Sequence, residues 1–107
     1  MIDSIKSHAL LEFPKESCGF ILKNRGYLPL VNISTDPENY FKIKTSDYLS
    51  NLNNVLAVVH SHTKGTPVSS FDISSCNNTF LPWIIFIMPS NIEVIYPEKY
   101  KGEIIVL

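Results

Sequence analysis

The chain is short of the features that mark disulfide-built, membrane-spanning or nucleic-acid-binding proteins. Its 107 residues include two cysteines, Cys18 and Cys76, too few for a disulfide framework. The formal net charge is −1 and no run of lysine or arginine stands out, so there is no electrostatic footprint for nucleic acid. The longest apolar stretch, residues 80–88, is far shorter than the roughly 20 residues a membrane helix needs, and Pro82 interrupts it. The first residues lack a basic start followed by an apolar stretch, so no secretory signal is read there. The expectation is a protein made in the cytoplasm, with no nucleic-acid partner and no membrane span.

What is present fits an ordinary globular domain: 45% of residues are apolar and 18% charged. The length suits one domain, expected to span residues 1–107. Apolar residues at Ile2, Ile5, Ala9, Leu10 and Phe13 have helical spacing. Asp3 or Ser4 is a candidate cap, and Pro14 ends the helix. Residues 18–23 and 27–33 read as a hairpin across Asn24-Arg25-Gly26, with Pro29 marking an edge strand. Residues 34–39 are a loop and 41–44 a short strand. A second helix runs through Tyr48, Leu49 and Leu52, capped by Thr45 or Ser46. The apolar run 55–59 reads as a central strand covered on both faces. A loop over 63–68, a short helix over 69–77, strands over 83–88 and 91–96, and a last strand over 103–107 complete the reading. Trp83, Phe80, Phe86 and Tyr96 are expected in the core, as are both cysteines. The fold class is α/β, a central mixed sheet flanked by helices.

The chemistry-bearing residues cluster after the central strand. Alternate strand residues face the same way, so His60 and His62 present two imidazoles to one side. Two imidazoles so placed suit one zinc ion. Asp72 is the natural third ligand, delivered by the helix that follows the loop, with Ser69 three residues before it on the same face. Two histidines and a carboxylate leave a fourth position for water, as in catalytic rather than structural zinc sites. Glu16, between the first helix and the first strand, is the candidate proton acceptor. Ser69 is the candidate donor to the oxyanion.

Each element has a plainer reading. A His-x-His pair on a strand is usually structural, Ser69-x-x-Asp72 is also a helix-capping pattern, and a single glutamate is usually a solvated surface group. Only their conjunction points to a metal.

In that conjunction the sequence resembles the JAMM motif of the MPN+ metalloproteases, through Glu16, His60-x-His62 and Ser69-x-x-Asp72. Between His62 and Ser69 the spacing is one residue shorter than usual, and Thr63 stands where proline is common. The resemblance implies the MPN (JAMM, cytidine-deaminase-like) fold, with Zn2+ on His60, His62 and Asp72, Glu16 as general acid/base and Ser69 at the oxyanion. A narrower likeness is to the amino-terminal domain of the lambda-type phage tail assembly K proteins. It rests on Pro14-Lys15-Glu16-Ser17-Cys18-Gly19, Asn32-Ile33-Ser34 with Phe41, Val58-Val59-His60-Ser61-His62, Asp72 with Cys76, and Leu81-Pro82-Trp83. This implies a metallopeptidase acting on a peptide or protein in phage or prophage tail assembly, with location in the phage tail or virion. It also implies tail proteins and a cell-wall-hydrolase-type cysteine peptidase domain as partners. The competing reading is a catalytically silent MPN scaffold that docks at the tail tip.

Overall fold

The computed structural model describes residues 1–23 and 25–107. The elements in chain order are α1 (Ile2–Glu12), β1 (Cys18–Leu22), β2 (Gly26–Leu30), α2 (Thr45–Ser50), β3 (Val55–His62), α3 (Ser70–Thr79), β4 (Trp83–Ile87) and β5 (Asn91–Ile95). The five strands form one mixed sheet in the order β2-β1-β3-β4-β5. Among the described residues only β3 and β4 pair in parallel, with His60 opposite Ile85 and His62 opposite Ile87. The other pairs are antiparallel. A parallel pair requires a crossover, and α3 supplies it.

The period-two pleat divides β1, β3 and β4 between two cores. On one face Ile21, Ala57, Val59, Ile84 and Phe86 pack against Ile5 and Ala9 of α1. On the other, Cys18, Phe20, Val58 and Trp83 pack with Ile43 and with Cys76 of α3. Because β3 is covered on both faces, its sequence is continuously apolar up to His60. His60 shares the face of Val58, so it enters the second core and stacks on Phe41, ring centroids 4.4 Å apart.

Both cysteines are buried, and β2 is an edge strand, where Pro29 removes no inward ladder donor. Phe13 takes an extended conformation (φ −51°, ψ 133°), as a residue before proline must, and α1 stops there. The hairpin turn involves Asn24, which lies outside the described residues.

Several expectations fail for identifiable reasons. Residues 41–44 form no strand: the Lys42 N–H is taken by the Asn32 side chain and the Lys42 carbonyl by the Ile33 N–H. Residues 103–107 form none either, and the Ile105 N–H goes to the Tyr96 hydroxyl. The caps of α1 and α2 are Met1 and Lys44, without side-chain capping bonds. Phe80 is 79% exposed rather than core, because it takes the left-handed position after α3 (φ 57°), which turns its ring outward. His8, for which the sequence suggests no partner, meets the Tyr27 hydroxyl at 2.6 Å.

Candidate metal centre

The carboxyl end of β3, the start of α3 and the approach to β1 converge on one cleft. It has a volume of about 390 Å³, and its walls include Glu16, His60, His62, Ser69 and Asp72. A larger cavity of about 670 Å³ lies under the carboxy-terminal tail, walled by Met1, Ile21, Leu56, Ile104 and Val106 among others. The chemistry is in the smaller one. Among the described residues, the buried polar side chains are Glu16, Ser17, His60, Ser61, His62 and Asp72. All belong to these converging segments, and burying such groups is costly unless they are used or paired.

The backbone arranges this convergence. The Ser17 N–H donates to the Ser61 hydroxyl at 2.8 Å, and the Ser61 N–H donates back to the Ser17 carbonyl at 3.1 Å. This exchange fastens the approach to β1 beside the end of β3, and so Glu16 beside His60 and His62. Ser69 caps α3 in a complete capping box. Its hydroxyl accepts from the Asp72 N–H at 3.1 Å and donates to Asp72 Oδ2 at 3.0 Å. The Ser69 N–H reaches the same oxygen at 2.9 Å. The capping reading of Ser69-x-x-Asp72 therefore holds, and it is also what aims the Asp72 carboxylate at the histidines.

His60 Nε2 lies 3.2 Å from Asp72 Oδ1 and 3.2 Å from His62 Nε2, and His62 Nε2 lies 3.3 Å from Asp72 Oδ2. These three residues form a group able to hold a metal ion. For tetrahedral zinc with bonds of about 2.0–2.1 Å, neighbouring donors lie roughly 3.3 Å apart, and the His60–His62 separation and each imidazole's separation from its own carboxylate oxygen are individually close to that. The carboxylate reaches the two imidazoles through different oxygens. His62 Nδ1 donates to the Thr66 carbonyl at 2.7 Å, which leaves Nε2 free to ligate. His60 Nδ1 is buried without a partner, so on that ring the polar contacts, to Asp72 and His62, are all made by Nε2. The one-residue-shorter loop does not prevent closure, since Thr66 within it orients His62.

The electrostatics match a cation site. Burial pushes the His60 imidazole below its ordinary value despite the opposing hydrogen bond to Asp72, favouring the neutral, ligating form. The hydrogen bond to Asp72 raises His62. Burial alone would raise Asp72, but hydrogen bonds from His60, His62 and the Ser69 N–H outweigh it and hold the carboxyl well below the usual range. Burial raises Glu16 to about 8, with His62 opposing and Asp72 and Asp36 adding to the rise. A cation in the site would lower that value. Burial pushes the Cys18 thiol to about 12, and Cys76 donates to the Leu81 carbonyl at 3.2 Å. Both behave as core thiols rather than ligands.

The structure thus brings together all five residues singled out in the sequence. It adds Thr66, which holds His62, and Ser17 and Ser61, which hold the two segments together. It also adds Asn32, whose amide binds the Glu16 carbonyl at 3.0 Å, and the aromatic wall of Tyr40, Phe41 and Phe71. Of these, Ser17, Asn32, Phe41 and Ser61 stand in the motifs that carry the narrower likeness, whereas Thr66, Tyr40 and Phe71 left no sequence signal.

Residues 1–96 match the model of the prokaryotic homologs of the JAB domain, Prok-JAB. The chain belongs to that family. Over 110 residues this Prok-JAB chain is 34% identical to the tail tip assembly protein K of Escherichia phage N15, a match that covers 96% of the chain and 44% of the relative. It therefore spans less than half the length of the curated relative it matches. The solution structure of protein DSY2949 from Desulfitobacterium hafniense superposes with a TM-score of 0.67, covering 87% of this chain and 75% of the other at 20% identity. That likeness concerns the fold alone. The α/β architecture, a mixed sheet flanked by helices, is the one expected from the sequence, with five strands among the described residues in place of the seven read there.

Proposed function

We propose that this Prok-JAB domain is a zinc-dependent peptidase of the JAMM type, acting on a peptide or isopeptide bond of a protein in phage tail assembly. The observation that carries the reading is the convergence of His60, His62 and Asp72, whose imidazole Nε2 atoms lie 3.2 Å apart and each within 3.2–3.3 Å of one oxygen of the Asp72 carboxylate. His60, His62 and Asp72 would hold the ion. When bound, zinc supplies Lewis acidity and makes water a usable nucleophile near neutral pH.

The protein's own groups supply the rest. Glu16 lines the cleft with a carboxyl poised near neutrality, suited to take a proton from the attacking water and return it to the leaving amine. The Ser69 hydroxyl also lines the cleft, and its hydrogen points to Asp72. Rotated off that oxygen, it can donate to the oxyanion. The Phe41 ring covers His60 and excludes water from one side of the site. The likeness to a tail tip assembly protein supports tail proteins as substrates or partners, with location in the phage tail. A cell-wall-hydrolase-type cysteine peptidase domain is the further partner this reading implies. The whole of residues 1–107 is taken as the one peptidase domain.

Metal analysis tests the reading. The purified chain should take up one equivalent of zinc and lose it on His60→Ala or Asp72→Ala. Glu16→Gln should keep the zinc and lose peptide hydrolysis. A chain that binds no zinc at neutral pH overturns the reading in favour of a silent scaffold.

A further inference from the structure

Two large aromatic side chains stand exposed at the cleft. Tyr40 is 55% exposed and Phe71 is 65% exposed. They come from different parts of the chain, yet their rings meet edge to face, with centroids 6.3 Å apart at 78°. Both line the cleft that holds Glu16, His60, His62 and Asp72. Other exposed apolar side chains, Leu10, Leu11 and Phe80 among them, line no part of it. Exposed aromatic surface is unfavourable in water, and where it gathers beside convergent polar groups it marks a binding site.

Both rings are carried on anchored backbone. Phe71 is in the first turn of α3, directly before Asp72, where the capping box fixes the helix start. The Tyr40 carbonyl accepts from the Asn32 amide at 3.0 Å, and the Tyr40 N–H donates to the Asp36 carbonyl at 3.0 Å. The next residue, Phe41, turns inward onto His60. The loop thus sets one aromatic ring on a candidate ligand and its neighbour in the cleft wall.

We infer that Tyr40 and Phe71 form a subsite for an uncharged, apolar side chain of the substrate, adjacent to the bond to be cut. The inference rests on the metallopeptidase reading and names what that site selects. Among the described residues no lysine or arginine lines the cleft, and Lys64 beside it is engaged by the Asn39 side-chain oxygen, so the aromatic pair offers an acidic side chain no partner of its own. A cleft of about 390 Å³ suits one or two residues of an extended peptide. An aromatic pair gives an apolar group area and edge-to-face contacts at little entropic cost.

The test uses zinc-loaded protein and three hydroxamates: acetohydroxamate, 3-phenylpropanohydroxamate and the monohydroxamate of succinic acid, titrated by calorimetry. The phenyl compound should bind roughly 10-fold or more tightly than acetohydroxamate, since burying several apolar carbons is worth at least that factor. Phe71→Ala and Tyr40→Ala should each reduce the ratio to about 3-fold or less, with acetohydroxamate affinity, zinc content and melting temperature unchanged. Equal affinity for the phenyl and acetyl probes overturns the subsite and leaves the metal reading standing. A succinyl probe that gains as much as the phenyl probe also overturns it. Failure to take up zinc and to bind acetohydroxamate ends the metal reading, and the subsite with it.

Discussion

The side-chain amide of Asn32 donates to the backbone carbonyl of Glu16 at 3.0 Å, and the same nitrogen reaches the carbonyls of Tyr40 (3.0 Å) and Pro37 (3.3 Å). Its oxygen accepts from the N–H groups of Ser34 and Lys42, both at 3.0 Å. The Glu16 N–H in turn donates to the Pro37 carbonyl at 2.7 Å. One side chain therefore closes the loop over 32–42 and ties it to the residue proposed as proton carrier. Asn32→Leu should destabilise the chain by about 2 kcal/mol, because several backbone groups lose their partners together. It should also speed amide exchange over residues 33–42. Asn32→Asp keeps the acceptor and loses the donors, so the Ser34 and Lys42 amides should stay slow while the loop loosens at Glu16. Unchanged exchange in both variants would refute the anchoring role.

Ser69 and Asp72 serve helix and site at once. Ser69→Ala removes a capping bond, costing about 1 kcal/mol, and takes away one of the two Ser69 donors that orient the carboxylate, the backbone N–H remaining. Zinc affinity should fall roughly 10- to 100-fold, the usual cost of removing a group that orients a ligand. Thr should restore both. Competition with a chelator of known affinity measures the metal effect, and urea unfolding of the metal-free protein measures the capping effect. A loss of stability without any change in zinc affinity would confine Ser69 to capping.

The same pair shows why the convergence of the candidate residues was largely legible in the sequence. His60-x-His62 needs only the period of a strand to face one way, and Ser69-x-x-Asp72 needs only the capping geometry of a helix start. Both are local rules, and Asp72 is aimed by the second of them. What was hidden depends on contacts distant in the chain. Thr66 matters through its carbonyl, which any residue would supply. Tyr40 and Phe71 meet only after the loop over 32–42 has folded back. That loop also defeated the strand expected at 41–44: its alternation was real, but the Asn32 side chain satisfied the Lys42 N–H before a ladder could. Phe80 failed for a related reason, since a left-handed cap position is set by where α3 must stop and not by hydrophobicity.

Glu16 should leave a pH signature in the metal-free protein. Its folded value is raised from 4.5 to about 8 by burial. Well below pH 4.5 the carboxyl is protonated whether folded or not, and the group is neutral in its effect. As pH rises from there toward 8, the unfolded chain releases the proton that the folded chain retains, so stability falls. Above 8 both forms are ionised and the penalty is constant, on the order of 5 kcal/mol at most, less whatever solvent screening removes. Glu16→Gln should therefore match the wild type near pH 4 and exceed it increasingly up to pH 8, as read by urea midpoints without metal. A constant difference across that range would contradict the burial of the carboxyl. Zinc, by stabilising the charged form, should flatten the wild-type profile.

Gly19 tests the packing that supports the site from below. It pairs with Pro29 on one side and Val59 on the other, one residue after Cys18, which faces His60 across the sheet. A Cβ added at Gly19 would collide with the Leu28 backbone carbonyl and with the Tyr27 ring at 2.6 Å. The carbonyl belongs to a strand already in register and cannot withdraw as a side chain could. Gly19→Ala should cost about 1–3 kcal/mol through forced backbone displacement. Because the strain falls between β1 and β2, on the far side of β1 from β3, zinc stoichiometry should survive wherever the chain remains folded. Thermal unfolding with and without zinc separates the two effects: a lower midpoint with one equivalent still bound is the expected result, and a midpoint equal to the wild type's would show that the two strands part more readily than their pairing implies.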